Sequence, residues 1–295
     1  MSTARSRRLI AGLSLGTSSM LTLAVLYIPV VVLVIFSFNS ARTGSIWESF
    51  TVDWYKEITR DRQLMRAISN SLWVALIATP VSTVLATMLA IGLEGSRFRS
   101  KRTTEQVLNL PIISPEIITG VSLLAAFSLV LRVVNDVLGR GNADAIRFGR
   151  PTILLAHIAF DTAFATLIVR ASLRNLDPAI SEASLDLGAT RWQTFWKVTL
   201  PAIRPGVLGG ALMAFTLSID NFVITFFVSG PGSTTLPIEI YARLRRTISP
   251  TINAVATLIF AASVLVLGGA LIAQAVGSRL AVRSDAVARK RGKLL

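Results

Sequence analysis

Residues 182–201 read EASLDLGATRWQTFWKVTLP. Just upstream, Asp177 followed by Pro178 is a helix start, with Asp at the cap and Pro at the first helical position. Leu185, Ala189 and Trp192 then recur at i, i+4 and i+7, the spacing of an amphipathic helix. Gly188 interrupts that pattern and permits a sharp bend. Trp192, Phe195 and Trp196 add a large apolar surface, and Pro201 opens a long apolar run. Such a knob suits a groove on a partner protein or the surface of a bilayer. The pattern alone does not choose between them.

Outward from this segment, the chain is a series of apolar runs. A helix crosses a hydrocarbon core of roughly 30 Å with about 20 residues. We expect six spans, at 20–38, 68–93, 107–131, 152–172, 201–228 and 252–277. The runs are continuous rather than alternating, which selects helices over a barrel. The expected fold is an all-α integral membrane protein, one transmembrane domain over 1–295, with the knob region at 177–200. Basic residues favour one side: Arg5, Arg7, Arg8, Arg97, Arg99, Lys101, Arg102, Arg170, Arg174, Arg191, Lys197, Arg204 and a basic tail from Arg279. The bias over the other side is moderate and places both termini and the knob in the cytoplasm. Loop 39–67, on the other side, holds Trp47, Trp54 and Tyr55 and is expected to carry a short interfacial helix.

The 295 residues carry 30 Lys and Arg against 16 Asp and Glu, no Cys and one His. The absence of cysteine excludes disulfides, Cys-ligated zinc and thiol nucleophiles. His157 alone cannot build a multi-histidine metal site, so we expect no metal. The basic excess sits in short loops and at the ends, with no stripe interleaved with aromatics. It therefore reads as topology and lipid headgroup contact, not as nucleic-acid binding. The apolar run after Arg8 reaches Phe38, too long for a signal peptide. Neither a P-loop nor a G-x-S-x-G is present, and one histidine cannot make H-E-x-x-H. We expect no enzymatic activity in this chain.

Segment 182–201 resembles the EAA loop of ABC importer permeases: EAA, three residues, Gly, nine residues, then Ile-x-Leu-Pro. The match falls on Glu182, Ala183, Ser184, Gly188, Val198, Leu200 and Pro201. Ser184 replaces the third alanine and Val198 the isoleucine. Further stretches resemble spermidine/putrescine importer permeases, most closely the second permease type of those systems. They are FSFNS at 36–40, LPIISPEIITGVSLL at 110–124, FTLSIDNFVITFFVSGPGSTTLP at 215–237 and SPTINAVATL at 249–258. That family often has Asp-Asp where this chain has Asp220 and Asn221.

The resemblance implies a type I ABC importer permease fold in a bacterial inner membrane. It implies a second related permease, two cytoplasmic ATPase subunits holding ATP and magnesium, and an external substrate-binding protein. No cofactor is expected in this chain. The coupling residues would be Glu182, Ala183, Ser184, Asp186, Gly188, Ala189, Leu200 and Pro201. The motion implied is rigid-body rocking between inward-open and outward-open states.

Ionisable groups at bilayer depth are expensive, about 2.5–3.5 kcal/mol on insertion scales. Glu116, Asp161 and Asp220 therefore become candidates for a polycation pathway, with Asn221 beside them and Phe160 and Phe222 against its methylenes. Pro111 and Pro115 are expected to break or bend the third span and open backbone toward a cavity. A structural reading stands beside each. His157 and Asp161 are i, i+4 and can bond to each other. Glu116 can cap a broken helix. Asp220 can bond a partner permease. Gly206, Gly209, Gly210 and Ala211 read as close helix packing. A proton-coupled secondary transporter is the rival class, and another small solute is the rival cargo.

Overall fold

The structure, a computed structural model, describes residues 2–42, 46–95, 99–141, 145–246, 249–265 and 268–269, without the side chains of 2–16. The cations at Arg5, Arg7, Arg8 and Arg97 and those of the tail lie outside the described side chains, as does the end of the expected span 252–277. All regular structure among the described residues is helical apart from one isolated antiparallel bridge, Asn39 to Phe50. The helices are α1 (Ser2–Phe36), α2 (Asp53–Arg60), α3 (Arg62–Gly95), α4 (Lys101–Ile113), α5 (Glu116–Val137) and α6 (Arg150–Arg174). After them come α7 (Pro178–Asp186), α8 (Arg191–Thr194), a π-helical turn (Phe195–Thr199), α9 (Leu200–Asp220), α10 (Val223–Val228) and α11 (Leu236–Leu244). The last is α12 (Pro250–Leu265). Among the described residues, five helical stretches are long and apolar enough to cross a membrane: Thr17–Phe36, Arg62–Gly95, Glu116–Val137, Arg150–Arg174 and Arg191–Asp220.

Two expected spans are each built from two helices. Helix α4 runs through Pro111 because Ser114 N still reaches Leu110 O at 2.8 Å; the ladder stops only at Pro115, which has no N–H to give. Span 107–131 is therefore α4, a break at Ser114 and Pro115, and α5. The expected continuous span 201–228 ends as α9 at Asp220 and resumes as α10. No proline or glycine causes this second break. Asn221 does, by turning extended and using its side-chain oxygen to accept from Thr225 N at 3.2 Å.

The chain forms two compact units, one of Met1–Asp61 with Ala242–Leu295 and one of Arg62–Tyr241. In the first, the chain leaves α1 through a turn organised by Asn39. Its amide donates to Ile46 O at 2.7 Å and accepts from Glu48 N at 3.0 Å, while its carbonyl accepts from Trp54 Nε1 at 2.7 Å. Tyr55 OH meets Ser37 Oγ at 2.7 Å. The short helix expected in loop 39–67 is thus present as α2, but its aromatics turn to the chain itself, Trp54 to a backbone carbonyl and Tyr55 to a side-chain hydroxyl. At its start, hydrogen bonds from Lys56 and Thr51 hold the Asp53 carboxyl below the usual carboxylate range.

The second unit is a packed trio, α3, α6 and α9, with α4, α5 and α10 laid on it. The trio meets through small side chains: Ala75, Ala78, Ala86 and Ala90 of α3, Ala156, Ala163 and Ala165 of α6, and Ala214 of α9 are all buried. Larger groups fill the rest. Val74, Ile153, Phe160, Ile224 and Val228 form one cluster, and Val169 and Ile203 pack with Ala90 in another. In lipid, water offers no drive to join helices, so such close approach and its dispersion contacts hold the bundle together. At one end Asn70 fastens the return loop, donating to Thr234 O at 2.8 Å and accepting from Arg150 Nε at 2.8 Å.

Glycines set the α6–α9 distance unequally. A Cβ added at Gly206 would run into the Ser172 side chain, whereas one at Gly209 would only touch Ile168 Cγ2 at 3.4 Å. Gly206→Ala should therefore lower the stability of the purified protein by about 1–3 kcal/mol, the usual cost of overpacking. Gly209→Ala should leave its thermal midpoint unchanged. Equal midpoints for the two variants would contradict this packing.

Candidate functional site

The segment 177–201 folds as a rigid knob made almost entirely by local rules. Asp177 Oδ1 accepts from Ala179 N at 2.9 Å and starts α7, with Pro178 at its first position. Gly188 ends the helix at φ +85°, a left-handed conformation that L side chains rarely adopt. Around it, Ala189 N bonds Ser184 O at 3.1 Å and Gly188 N bonds Leu185 O at 2.9 Å, the two bonds of a Schellman motif. Two residues later Thr190 caps α8. Its hydroxyl accepts from Gln193 N at 3.2 Å and Gln193 Oε1 accepts from Thr190 N at 2.9 Å, a capping box. The i, i+4, i+7 stripe of Leu185, Ala189 and Trp192 is therefore split over two helices.

Ser184, the departure from the third alanine, has a partner that no motif reveals: its hydroxyl meets Thr194 Oγ1 at 3.1 Å and ties α7 to α8. Leu200 packs on the Ala90, Val169 and Ile203 cluster and roots the knob in the bundle, while Pro201 is exposed. Glu182, Ala183, Asp186 and Gly188 are exposed, and Ala189 is half-buried. Leu187 is 89 % exposed and Trp192 69 %, an apolar face with no cover from this chain. Trp192, Phe195 and Trp196 pack on one another with ring centres 5.2 to 6.1 Å apart.

Immediately before the knob lies an ionic node that sequence reading missed. Arg170 Nε donates to Glu94 Oε1 and its Nη2 to Glu105 Oε1, both at 2.7 Å; Arg174 Nε reaches Glu94 Oε1 at 3.0 Å. Arg170 and Arg174 thus join the ends of α3, α4 and α6, where sequence reading had counted them only as topology-setting cations. Only tertiary packing brings residues 94, 105 and 170 together, so no local signal announces it.

The pathway candidates differ in burial. Phe160 is buried in the core cluster, 4.9 Å from Phe164 by ring centres. Asp161 is 1 % exposed and its Oδ2 has no hydrogen-bond partner. His157 does not pair with it. Its Nδ1 meets Ser218 Oγ and its Nε2 meets Thr225 Oγ1, each at 2.8 Å. Thr225 gives its own hydroxyl hydrogen to Asn221 O at 2.8 Å, so Nε2 donates to Thr225 and Nδ1 accepts from Ser218. A neutral ring fits every partner and spans the break between α9 and α10. Asn221 is consumed by that break, as the cap of α10.

Glu116 and Asp220 remain at the two helix breaks, both exposed. Glu116 opens α5, where the helix dipole favours its charge. Asp220 closes α9, beside carbonyls that the break leaves without helical partners. Phe222 follows at once, half-buried, its ring 4.8 Å from Tyr241 and 5.8 Å from Phe226. Helices α5 and α10 pack together, with Gly120 close against Phe227.

An all-helical membrane bundle with two broken spans and a protruding double-helix knob defines the permease of an ABC importer. Residues 16–282 match the family described as binding-protein-dependent transport system inner membrane component, and the chain belongs to that family. It is 40 % identical over 238 residues to the putrescine transport system permease protein PotI of Escherichia coli strain K12, covering 80 % of this chain and 82 % of that one. It is 34 % identical over 252 residues to the spermidine/putrescine transport system permease protein PotC of the same strain, covering 85 % and 90 %. The fold matches a chain in the crystal structure of a bacterial alginate ABC transporter, at a TM-score of 0.65 and 21 % identity over 93 % of this chain and 96 % of that one. The protein is thus a multi-pass inner-membrane permease subunit whose relatives are non-catalytic components of ABC transporters.

Arg170→Met should leave Glu105 without its partner and Glu94 held by Arg174 alone. Breaking a buried pair costs about 3–5 kcal/mol; here the two glutamates are 26 % and 31 % exposed, so the lower end applies. Adding Glu94→Gln and Glu105→Gln to Arg170→Met should restore most of the lost thermal stability. A single variant that melts like the parent protein would show that the node holds nothing.

Proposed function

We propose that this chain forms part of the translocation path for polyamines of the putrescine and spermidine class. The observation that carries this reading is the 40 % identity to a putrescine permease over four-fifths of the chain. The geometry of the second break supports it. Asp220 is exposed and, among the described residues, held by no ion pair or side-chain hydrogen bond. It sits at a helix C-terminus, where carbonyls and the dipole add negative potential. An alkyl-ammonium group suits that site, and the rings of Phe222 and Tyr241 lie close enough to receive its methylenes or its charge. Glu116 is the weaker candidate, because the start of α5 already compensates its charge. Phe160 serves the core and Asn221 the break, and Asp161 is buried.

The same proposal assigns the knob to the ATPase. Its exposed residues, Glu182, Ala183, Leu185, Asp186 and Leu187 with Trp192 and Trp196, would fill a groove on one ATPase subunit, the second permease's knob filling that of the other, with the termini on the same cytoplasmic side. ATP and magnesium would be held entirely by those two subunits. A second related permease and an external binding protein complete the assembly. One solved neighbour, an alginate ABC transporter with a TM-score of 0.67, was crystallised with a substrate-bound periplasmic protein. One permease domain covering the whole chain belongs to this reading, supported by a family match that runs across both compact units.

Uptake of labelled putrescine and spermidine into proteoliposomes holding the full complex and its binding protein tests the proposal. Asp220→Asn should raise the half-saturating polyamine concentration about ten- to a hundredfold, the loss of one charge-assisted contact of ~1.5–3 kcal/mol. Gly188→Val cannot hold the left-handed turn. It should abolish stimulation of ATP hydrolysis by loaded binding protein while the bundle stays folded. Parental uptake kinetics in the first variant would remove Asp220 from the path, and normal stimulation in the second would remove the knob from coupling.

A further inference from the structure

We infer that the exposed apolar edge of the turn after α1, formed by Ile46, Trp47, Phe50 and Val52, docks on the lipid bilayer at headgroup depth. The depth follows from the end of α1. Its described apolar stretch reaches Phe36, the turn begins at the next residue, and the first charge beyond it is Arg42, so the helix passes from hydrocarbon to headgroups at this end. Trp47 packs edge-on against Phe36 with ring centres 6.3 Å apart, so the edge continues the apolar surface of α1 without a gap.

The aromatics best suited by sequence to a membrane boundary are spent elsewhere. Trp54 gives its N–H to Asn39 O and Tyr55 its hydroxyl to Ser37, both inside the turn. What faces out is instead Ile46 at 70 %, Phe50 at 69 %, Trp47 at 47 % and Val52 at 42 % exposure. Phe50 is supported from behind by Phe38, stacked at 5.4 Å and 7°. The backbone under this edge is paired. Ser40 N bonds Ser49 O at 2.9 Å, Thr51 N bonds Phe38 O at 2.7 Å, and Asn39 serves Ala41, Ile46 and Glu48. A segment entering a region poor in water needs that pairing.

The charges set the limit of entry. Glu48 stands exposed within the edge, and Arg42, Lys56, Glu57 and Arg60 are exposed around the turn. Together they hold the edge among headgroups, the level at which aromatic side chains favour the boundary. The continuity with the apolar end of α1, the paired backbone and the ring of charges favour lipid over a protein groove.

The chain has no cysteine, so Phe50→Cys and Ile46→Cys each accept a single bimane label. The test uses the complete transporter in nanodiscs of phosphatidylcholine and phosphatidylglycerol, its other subunits free of reactive cysteine. The labels at 46 and 50 should be quenched several-fold more by phospholipid brominated near the headgroup than by aqueous iodide. A label at Glu57→Cys, on the exposed face of α2, should show the reverse. Iodide quenching at 46 and 50 equal to that at 57 overturns the proposal. So does shielding from both quenchers, which would mean the partner permease covers the edge, or shielding that appears only when binding protein is added. Two label sites keep the test valid if one variant fails to fold.

Discussion

Everything else in the Arg62–Tyr241 unit depends on how closely α6 approaches α3 and α9. Alanine lines most of that contact, and a side chain at Gly206 has no room beside Ser172. Because lipid offers helices nothing to escape from, contact area at short range must hold them together. Short range is possible only where side chains are small. The consequence reaches beyond cohesion. A trio this close acts as a frame for each unusual element: α10 joins it through His157 and the Ile224 and Val228 cluster, the knob through Leu200, and α4 through Arg170.

The polar groups inside the bundle follow from the same frame. A helix interrupted in a membrane must find new partners for the backbone groups it frees. At the α9–α10 break, Asn221 supplies one from its side chain, Thr225 returns one to Asn221 O, and His157 bridges both helices from α6. The only histidine in the chain is thus a structural brace rather than a proton carrier in partnership with Asp161. Asp161 keeps an unpaired, buried oxygen, while Asp220, at the end of α9, is exposed. Burial therefore separates two acids that look equivalent in the sequence.

Local chemistry was legible and long-range chemistry was not. Asp177 with Pro178 announced the start of α7, and Gly188 announced its end, because caps and left-handed turns depend on residues within one turn of each other. Pro115 marked one broken span; Pro111, equally suspect, sits inside an intact helix because only its own missing N–H is lost. The break at Asn221 was hidden in an apolar run with no proline or glycine, since it needs a histidine more than 60 residues away in sequence. Glu94, Glu105 and Arg170 were hidden for the same reason. The Ser184 hydroxyl, read as a small conservative change, proved to be a tie to Thr194.

The remaining step concerns α9, which joins the two features that matter most. Its 21 residues span about 30 Å as a rod, rooted in the knob at Leu200 and ending at Asp220. Pro205 lies inside it but is preceded by a π-helical turn at Phe195–Thr199, so the irregular hydrogen bonding is concentrated at the knob end. A displacement of the knob can therefore be taken up at that turn or passed along the rod. Arg170 ties α6, the neighbour of α9, to α3 and α4 at the same end. Spatial continuity alone is not coupling. A rod, a compliant turn and a breakable ionic node are nevertheless the parts a two-position device requires, and all three meet within one turn or two of the knob.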